Sequence, residues 1–270
     1  MNTDGHGSRG RRRSAGGLLG RLLARMTGSE AVSDTRATHH LTDSRTVNRW
    51  IRSAIRPILA EAGFSLCTAR NYWRHTVRRI EVINFQSFNR YHADQLRCTT
   101  YSFQVNLGCY LTYVPSDLGP VATKNGMQVP PDYWCHLRRE LTKGLAQPEF
   151  PRADIWYVNS SGSNLGEVIQ DAKAVIIRDA FPWFDRLRDD REVLRTLVED
   201  KNNIGEPGAT WGFGNNPSPS RHYLTGFVAL QLGEDAMALE HLRAALDSKC
   251  FTLHGMEDEL CERIRLLTER

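Results

Sequence analysis

Apolar side chains recur at steps of three and four between Thr46 and Ala62: Val47, Trp50, Ile51, Ala54, Ile55, Ile58, Leu59 and Ala62. Residues three and four apart lie above one another on a helix, so this spacing predicts one helix with an apolar face. Arg49, Arg52 and Arg56 fall largely off that face. Ser44 or Thr46 suits the start and Gly63 the end. Pro57 lacks a backbone donor and is expected to bend the helix.

Beyond Gly63 the pattern changes to a period of two. Three strands are predicted, over Phe64–Arg74, Arg79–Phe88 and Cys98–Tyr113. In the third, Tyr101, Phe103, Val105 and Leu107 point one way and Thr100, Ser102, Gln104 and Asn106 the other. The polar segment Arg90–Gln95 reads as a hairpin-like loop between the second and third strands. The expected arrangement is an antiparallel meander with one face on the helix.

Pro115–Pro131 is predicted as loop, with Asp132 capping a helix over Tyr133–Leu145. Ile155–Val158 reads as a short strand. Ser163–Asp179 is predicted helical, with Ser163 as cap and Leu165, Val168, Ile169, Ala172, Val175 and Ile176 on one face. Ala180–Leu187 continues it through Pro182, where a kink or break is expected, and a charged helix over Asp189–Glu199 follows. Residues 200–220 hold four Gly, three Pro and four Asn, which predicts a loop. Three helices end the chain, over Tyr223–Leu232, Ala236–Asp247 and Glu257–Thr268. The fold class is therefore α+β: an antiparallel sheet packed against helices over residues 46–199, and an α-helical C-terminal appendage over 221–270.

Charge separates the first 45 residues from the rest. The 270-residue chain has a formal net charge of +4. Residues 1–45 hold eight Arg and four acids, whereas 46–270 hold 27 basic and 27 acidic residues. The body is neutral, which argues against a domain built to track a phosphate backbone. Residues 1–45 read as a disordered Arg-rich tail. Within it, Leu18, Leu19, Leu22, Leu23 and Met26 form a short amphipathic pattern that suits an anionic surface or a nucleic acid. Arg21 and Arg25 interrupt any apolar run there, so neither a secretion signal nor a membrane span is predicted. A cytoplasmic location is expected, with reduced cysteines. None of the six cysteines has the two-residue spacing of a zinc knuckle, and no metal or cofactor is expected.

Catalytic motifs are weak. Gly212-Phe213-Gly214 lacks the preceding strand and following helix of a phosphate loop. The acid pairs Asp189-Asp190 and Glu199-Asp200 sit at predicted helix ends, where the helix dipole or solvent accounts for them. The unusual feature is a set of amides in strands: Asn84 and Gln86 on one strand, Gln104 and Asn106 on the next. Asn is disfavoured in strands. If the two strands pair, four amides line one patch, carrying donors and acceptors without charge. Its ordinary reading is a solvated sheet face, or amides that satisfy buried backbone; its functional reading is a surface for a polar ligand or partner.

Several segments, in order, resemble one bacterial family. These are Gly63-Phe64, Tyr72-Trp73-Arg74, Val82-Ile83-Asn84-Phe85-Gln86, Phe103-x-Val105-Asn106-Leu107-Gly108, Cys135-His136-Leu137-Arg138, Asp154-Ile155-Trp156-Tyr157 and Phe181-Pro182-Trp183-Phe184. Together they resemble the uncharacterised domain of unknown function 4304 family, over about residues 46–190. The chain departs from that pattern at Glu140 and Thr142, where the family carries an Arg and then a Gly. The resemblance adds His136 and Arg138 as binding candidates: Arg138 can fork onto a carboxylate or phosphate, and His136 is expected to titrate near neutral pH. The small residues at Gly226, Gly233, Ala238 and Ala245 resemble one tetratricopeptide hairpin, without a second copy.

Three functions are open at this point. The first is a cytoplasmic binding or interaction protein, of the kind that neutralises a partner in bacterial conflict. The second is an enzyme on a small polar substrate, using the amides with His136 and Arg138. The third is a nucleic-acid or membrane-surface adaptor acting through the Arg-rich tail.

Overall fold

The computed structural model describes residues 42–116, 119–199, 210, 218–250 and 256–269. The predicted tail lies outside them up to residue 41, as does most of the predicted loop over 200–220. Thr42–Arg45 belong to the body. Thr42 is buried and its hydroxyl donates to the Ser161 carbonyl at 3.3 Å.

The first apolar face forms two helices rather than one bent helix. Helix α1 (Ser44–Ala54) is capped by Asp43, whose carboxylate accepts the Thr46 N–H at 2.6 Å. The chain turns at Ile55, and α2 (Arg56–Glu61) carries Pro57 in its first turn. A proline costs little there, because the first N–H groups of a helix have no partner within it. Val47, Ile51, Ile55 and Leu59 are fully buried. Trp50, expected among them, is 39% exposed and lies beside Gly166.

The sheet is antiparallel and has five strands: β1 (Leu66–Cys67), β2 (Asn71–His75), β3 (Arg79–Ser87), β4 (Phe103–Leu111) and, later in the chain, β7 (Leu137–Glu140). Their order across the sheet is β1-β2-β3-β4-β7. The predicted strand over Phe64–Arg74 is thus a small hairpin of two. Arg90–Gln95 is not a loop but helix α3 (Arg90–Leu96), capped by Asn89 accepting the His92 N–H. Leu137–Glu140 is the fifth strand, where a helix over Tyr133–Leu145 was expected. Only a single 3₁₀ turn, Asp132–Trp134, precedes it.

On one face of the sheet Tyr72, Ile83, Phe85, Phe103, Val105 and Leu107 meet α1 and α4 (Leu165–Val175) in a single apolar cluster. Ser163 does not cap α4, which starts after Asn164 without a side-chain cap. Phe103 stacks on Trp156 with ring centroids 6.0 Å apart. The expected Ile155–Val158 strand reduces to one bridge between these two residues. After α4 the helix widens into a π segment (Ile176–Ala180) and resumes as α5 (Phe181–Arg186). The wider turn accommodates Pro182, whose ring would collide with a carbonyl one turn back in a regular helix.

The C-terminal helices share this cluster. Helix α6 spans Asp190–Glu199, α7 Pro219–Leu232, α8 Asp235–Asp247 and α9 Met256–Thr268. Tyr223, Phe227 and Val228 of α7 and Leu242 of α8 are buried with the sheet residues. Gly226 lets α7 and α8 approach: a Cβ there would lie 2.6 Å from Leu242 Cδ2.

The opposite face of the sheet is half covered. Within the predicted Pro115–Pro131 loop lies a hairpin, β5 (Thr123–Lys124) with β6 (Met127–Gln128), turning at Asn125 and Gly126 with positive φ. The chain here packs on Leu66, Trp73, Ile80, Val82 and Tyr110. Trp73 Nε1 donates to the Pro130 carbonyl at 2.8 Å, and Lys124 Nζ to that of Cys67 at 2.9 Å. The amide half of the face stays uncovered by it.

Candidate functional site

The pairing of β3 with β4 sets Asn84 opposite Asn106 and Gln86 opposite Gln104. Side chains alternate along a strand, so all four amides share the face away from α1 and α4. The row through Asn84 and Asn106 extends to Asn71 on β2 and Glu140 on β7. Two of the four amides donate to a neighbouring amide on the same face. Asn84 Nδ2 donates to Asn71 Oδ1 at 2.7 Å, and Asn106 Nδ2 to Gln86 Oε1 at 2.7 Å. Asn106 is 7% exposed. Gln104 is drawn away: its Nε2 donates to Asp154 Oδ2 at 2.8 Å, and Arg152 holds the same carboxylate.

A concavity of about 360 Å³ opens over this patch. It is lined by Asn84, Gln86 and Asn106, by Asp132 and Tyr133 of the crossing segment, and by Arg138 and Glu140 of β7. Asn84, Gln86, Asn106 and Arg138 are therefore brought together, and Gln104 and His136 are not among the lining residues.

Gly108 makes the crossing possible. It sits on β4 opposite Arg138. A Cβ at Gly108 would lie 2.5 Å from Cys135 Sγ and 3.2 Å from Asp132 Cα. The Asp132–Cys135 turn rests directly on bare backbone, and this places Asp132 and Tyr133 beside the amides. Gly108→Ala is expected to lift that turn, costing about 1–3 kcal/mol by overpacking. Urea denaturation measures it. A second change, Cys135→Ala, should restore part of the loss; equal loss in both variants would refute the contact.

The charged members differ in environment. Burial pushes the Asp132 carboxyl up, opposed by Arg138 and by a hydrogen bond from Asn106. Burial also pushes Glu140 up, with Asp154 and Asp132 adding to the rise and Arg152 and Arg138 opposing it. Burial lowers the Arg138 pKa, with Asp132, Cys135 and Glu140 opposing; a guanidinium remains charged throughout. Arg138 Nη1 also donates to the Tyr133 carbonyl at 3.4 Å. Tyr133 is 64% exposed, an aromatic ring at the edge of the concavity.

His136 has a different task from the titrating role expected of it. Its Nδ1 accepts the Leu111 N–H at 2.9 Å, and its ring lies 4.6 Å from that of Tyr110. It serves the end of β4 just beyond the last pair with β7, Cys109 with Leu137. Burial without a neighbouring acid pulls its pKa down to about 3. An Nδ1 that accepts an N–H carries no proton, so the ring is neutral.

Sequence reasoning missed Asn71, Asp132, Tyr133 and Glu140. Asn71 and Glu140 follow from strand register alone, once β2 and β7 are known. Asp132 and Tyr133 arrive through a tertiary crossing that leaves no periodic signal, apart from the small residue at Gly108 beneath it. Among the described residues no group of three His, Cys, Asp or Glu could hold a metal ion. No described helix is long and apolar enough to cross a membrane.

Comparison with curated proteins gave no match, and comparison with solved structures gave none. The family described as Domain of unknown function (DUF4304) matches residues 55–186. That stretch runs from the turn between α1 and α2 to the end of α5 and contains the sheet, the crossing segment and every lining residue of the concavity. Over residues 55–186, the part that builds the site, the chain is a match to this family of domains of unknown function, and the resemblance read from its motifs holds.

Proposed function

We propose that the chain is a cytoplasmic bacterial binding protein whose uncovered sheet half holds a small polar ligand or a polar side chain of a partner, in the manner of an immunity-type protein. One observation carries this reading: amides from β3 and β4 and charged groups from β7 and the crossing segment line the same concavity. Polar groups in strand positions that Val or Thr would serve better are where a fold gives up stability for recognition. The helical pair α7–α8, tetratricopeptide-like in its small residues, then acts as a packing appendage. The enzymatic alternative is weakened because His136 is engaged with the backbone of β4. The adaptor alternative depends on residues outside those described.

The test is affinity capture from a bacterial lysate with identification of co-purified proteins and metabolites, run on two variants beside the parent chain. Asn106→Val removes the donor to Gln86 and is expected to cost about 1–3 kcal/mol in chemical denaturation. Asn84→Thr, at a less buried position, should stay within about 1 kcal/mol of the parent yet lose the captured species. A stable Asn84→Thr variant that captures the same set as the parent would sink the proposal.

A further inference from the structure

We infer that this concavity takes a primary ammonium group, presented by a small amine or by a lysine side chain. The inference rests on the binding reading above and narrows it to one ligand chemistry.

The first observation is the balance of charge. The lining side chains include two carboxylates, Asp132 and Glu140, on the amide side of the sheet, and Arg138 between them. Arg139 also lines it, but it pairs with Leu107, whose side chain is in the core, so its side chain points to the opposite face. Counting side chains on the amide face, the acids exceed the bases by one.

The second observation is an acceptor without a donor. The amide nitrogen of Asn106 serves Gln86 Oε1 at 2.7 Å. That leaves Asn106 Oδ1, which is enclosed and has no hydrogen-bond partner. A buried acceptor left unmade costs free energy that a ligand's donor can recover. Its neighbour in the row is Glu140, on the edge strand and only half-buried. The inference requires that side chain to shift and admit a compact donor to Oδ1.

An ammonium carries one positive charge and three N–H donors and no acceptor. It satisfies the charge excess and the orphaned acceptor together. A carboxylate or phosphate would instead bring further acceptors against Asn106 Oδ1, Asp132 and Glu140. A neutral polyol could donate to Oδ1 but would leave the one excess negative charge unbalanced. Burial already pushes both carboxyls up, so a bound cation has charge to stabilise there.

Isothermal titration calorimetry on the full chain tests this with four probes: cadaverine, the capped tripeptide acetyl-Gly-Lys-Gly-amide, succinate and erythritol. Binding of cadaverine alone assigns the site to a free amine. Binding of the tripeptide alone assigns it to a partner's lysine, and binding of both shows that the ammonium suffices. In each case Glu140→Gln should weaken the amine at least tenfold while its melting temperature stays at or above that of the parent. Unchanged affinity in Glu140→Gln overturns the inference. So does binding of succinate or erythritol without the amines, an outcome that leaves the binding reading standing. Silence from both amines overturns it too, and the binding reading falls with it only if Asn84→Thr also keeps its captured species.

Discussion

Arg74→Met is expected to remove about 3–5 kcal/mol of stability, read as a fall in the urea midpoint. Most domains have only about 5–15 kcal/mol in total, so the variant should be close to unfolding. Arg74 lies on the helix-covered face of the sheet, directly opposite Glu81 on the neighbouring strand. Its Nε donates to Glu81, which has no solvent exposure, and its Nη1 donates to the Ala62 carbonyl at 2.7 Å. The guanidinium also lies 4.9 Å from the Phe64 ring centroid and 5.7 Å from that of Phe184. Burial pushes the Glu81 carboxyl up, and Arg74 is the main influence holding it down. Removing the cation leaves a carboxylate in an apolar core with no adequate partner, and that isolated charge is the larger part of the cost. The double variant Arg74→Met, Glu81→Leu should recover most of the loss, because a buried pair replaced by apolar side chains is often neutral. A double variant as unstable as the single one would show that the rings and the Ala62 carbonyl, not the charge, are what Arg74 serves.

The second large effect is a dependence on pH centred on His136. Its folded pKa of about 3 lies below the ordinary value of 6.5. The unfolded chain therefore binds a proton in the interval between the two values and the folded chain does not. The stability contributed by the neutral ring is fully present above pH 6.5 and is lost as pH falls from there toward 3. The loss is about 2 kcal/mol at pH 5 and about 3 kcal/mol at pH 4. Because carboxylates titrate over the same range, the measurement is a difference. The stability gap between the parent and His136→Gln should narrow by about 2 kcal/mol between pH 7 and pH 5. A gap of constant size across that range would rule out a neutral, buried imidazole.

The parts of the fold legible in the sequence are those whose side chains obey one period. Phe103, Val105 and Leu107 alternate with Gln104 and Asn106, and in β4 the first three enter the core cluster while the amides take the opposite face. Val47, Ile51, Ile55 and Leu59 predict the buried stripe even though the chain divides at Ile55. Leu137-Arg138-Arg139-Glu140 carries one apolar residue in four, so nothing distinguishes an edge strand from a polar helix there. Arg90–Leu96 is helical through the Asn89 cap and the burial of Ala93, too little apolar character to show a period. In the site, the amides stand out because they conflict with strand propensity. Asp132 and Glu140 do not, since an acid in a polar stretch is unremarkable until the chain folds back across Gly108. The role of His136 is not legible in the sequence, because a free imidazole and one bound to a backbone N–H look alike there.

The sheet order also sets a sequence of events. Strands β2, β3 and β4 are joined by connections that close locally, and β3 and β4 pair over nine residues each. Strand β7 comes 25 residues after β4, contributes four pairs, and forms an outer edge. The entropy of closing that long connection must be met before its few contacts reward it. The wall of the concavity that carries Arg138 and Glu140 is thus expected to dock after β2, β3 and β4 have paired. Hydrogen exchange at the amides of Leu137–Glu140 should outpace exchange in Phe103–Leu111, and an occupant bridging β4 and β7 would slow it. The concavity lies at a seam held by four long-range strand pairs, so an occupant bridging it would also hold the outer strand to the sheet.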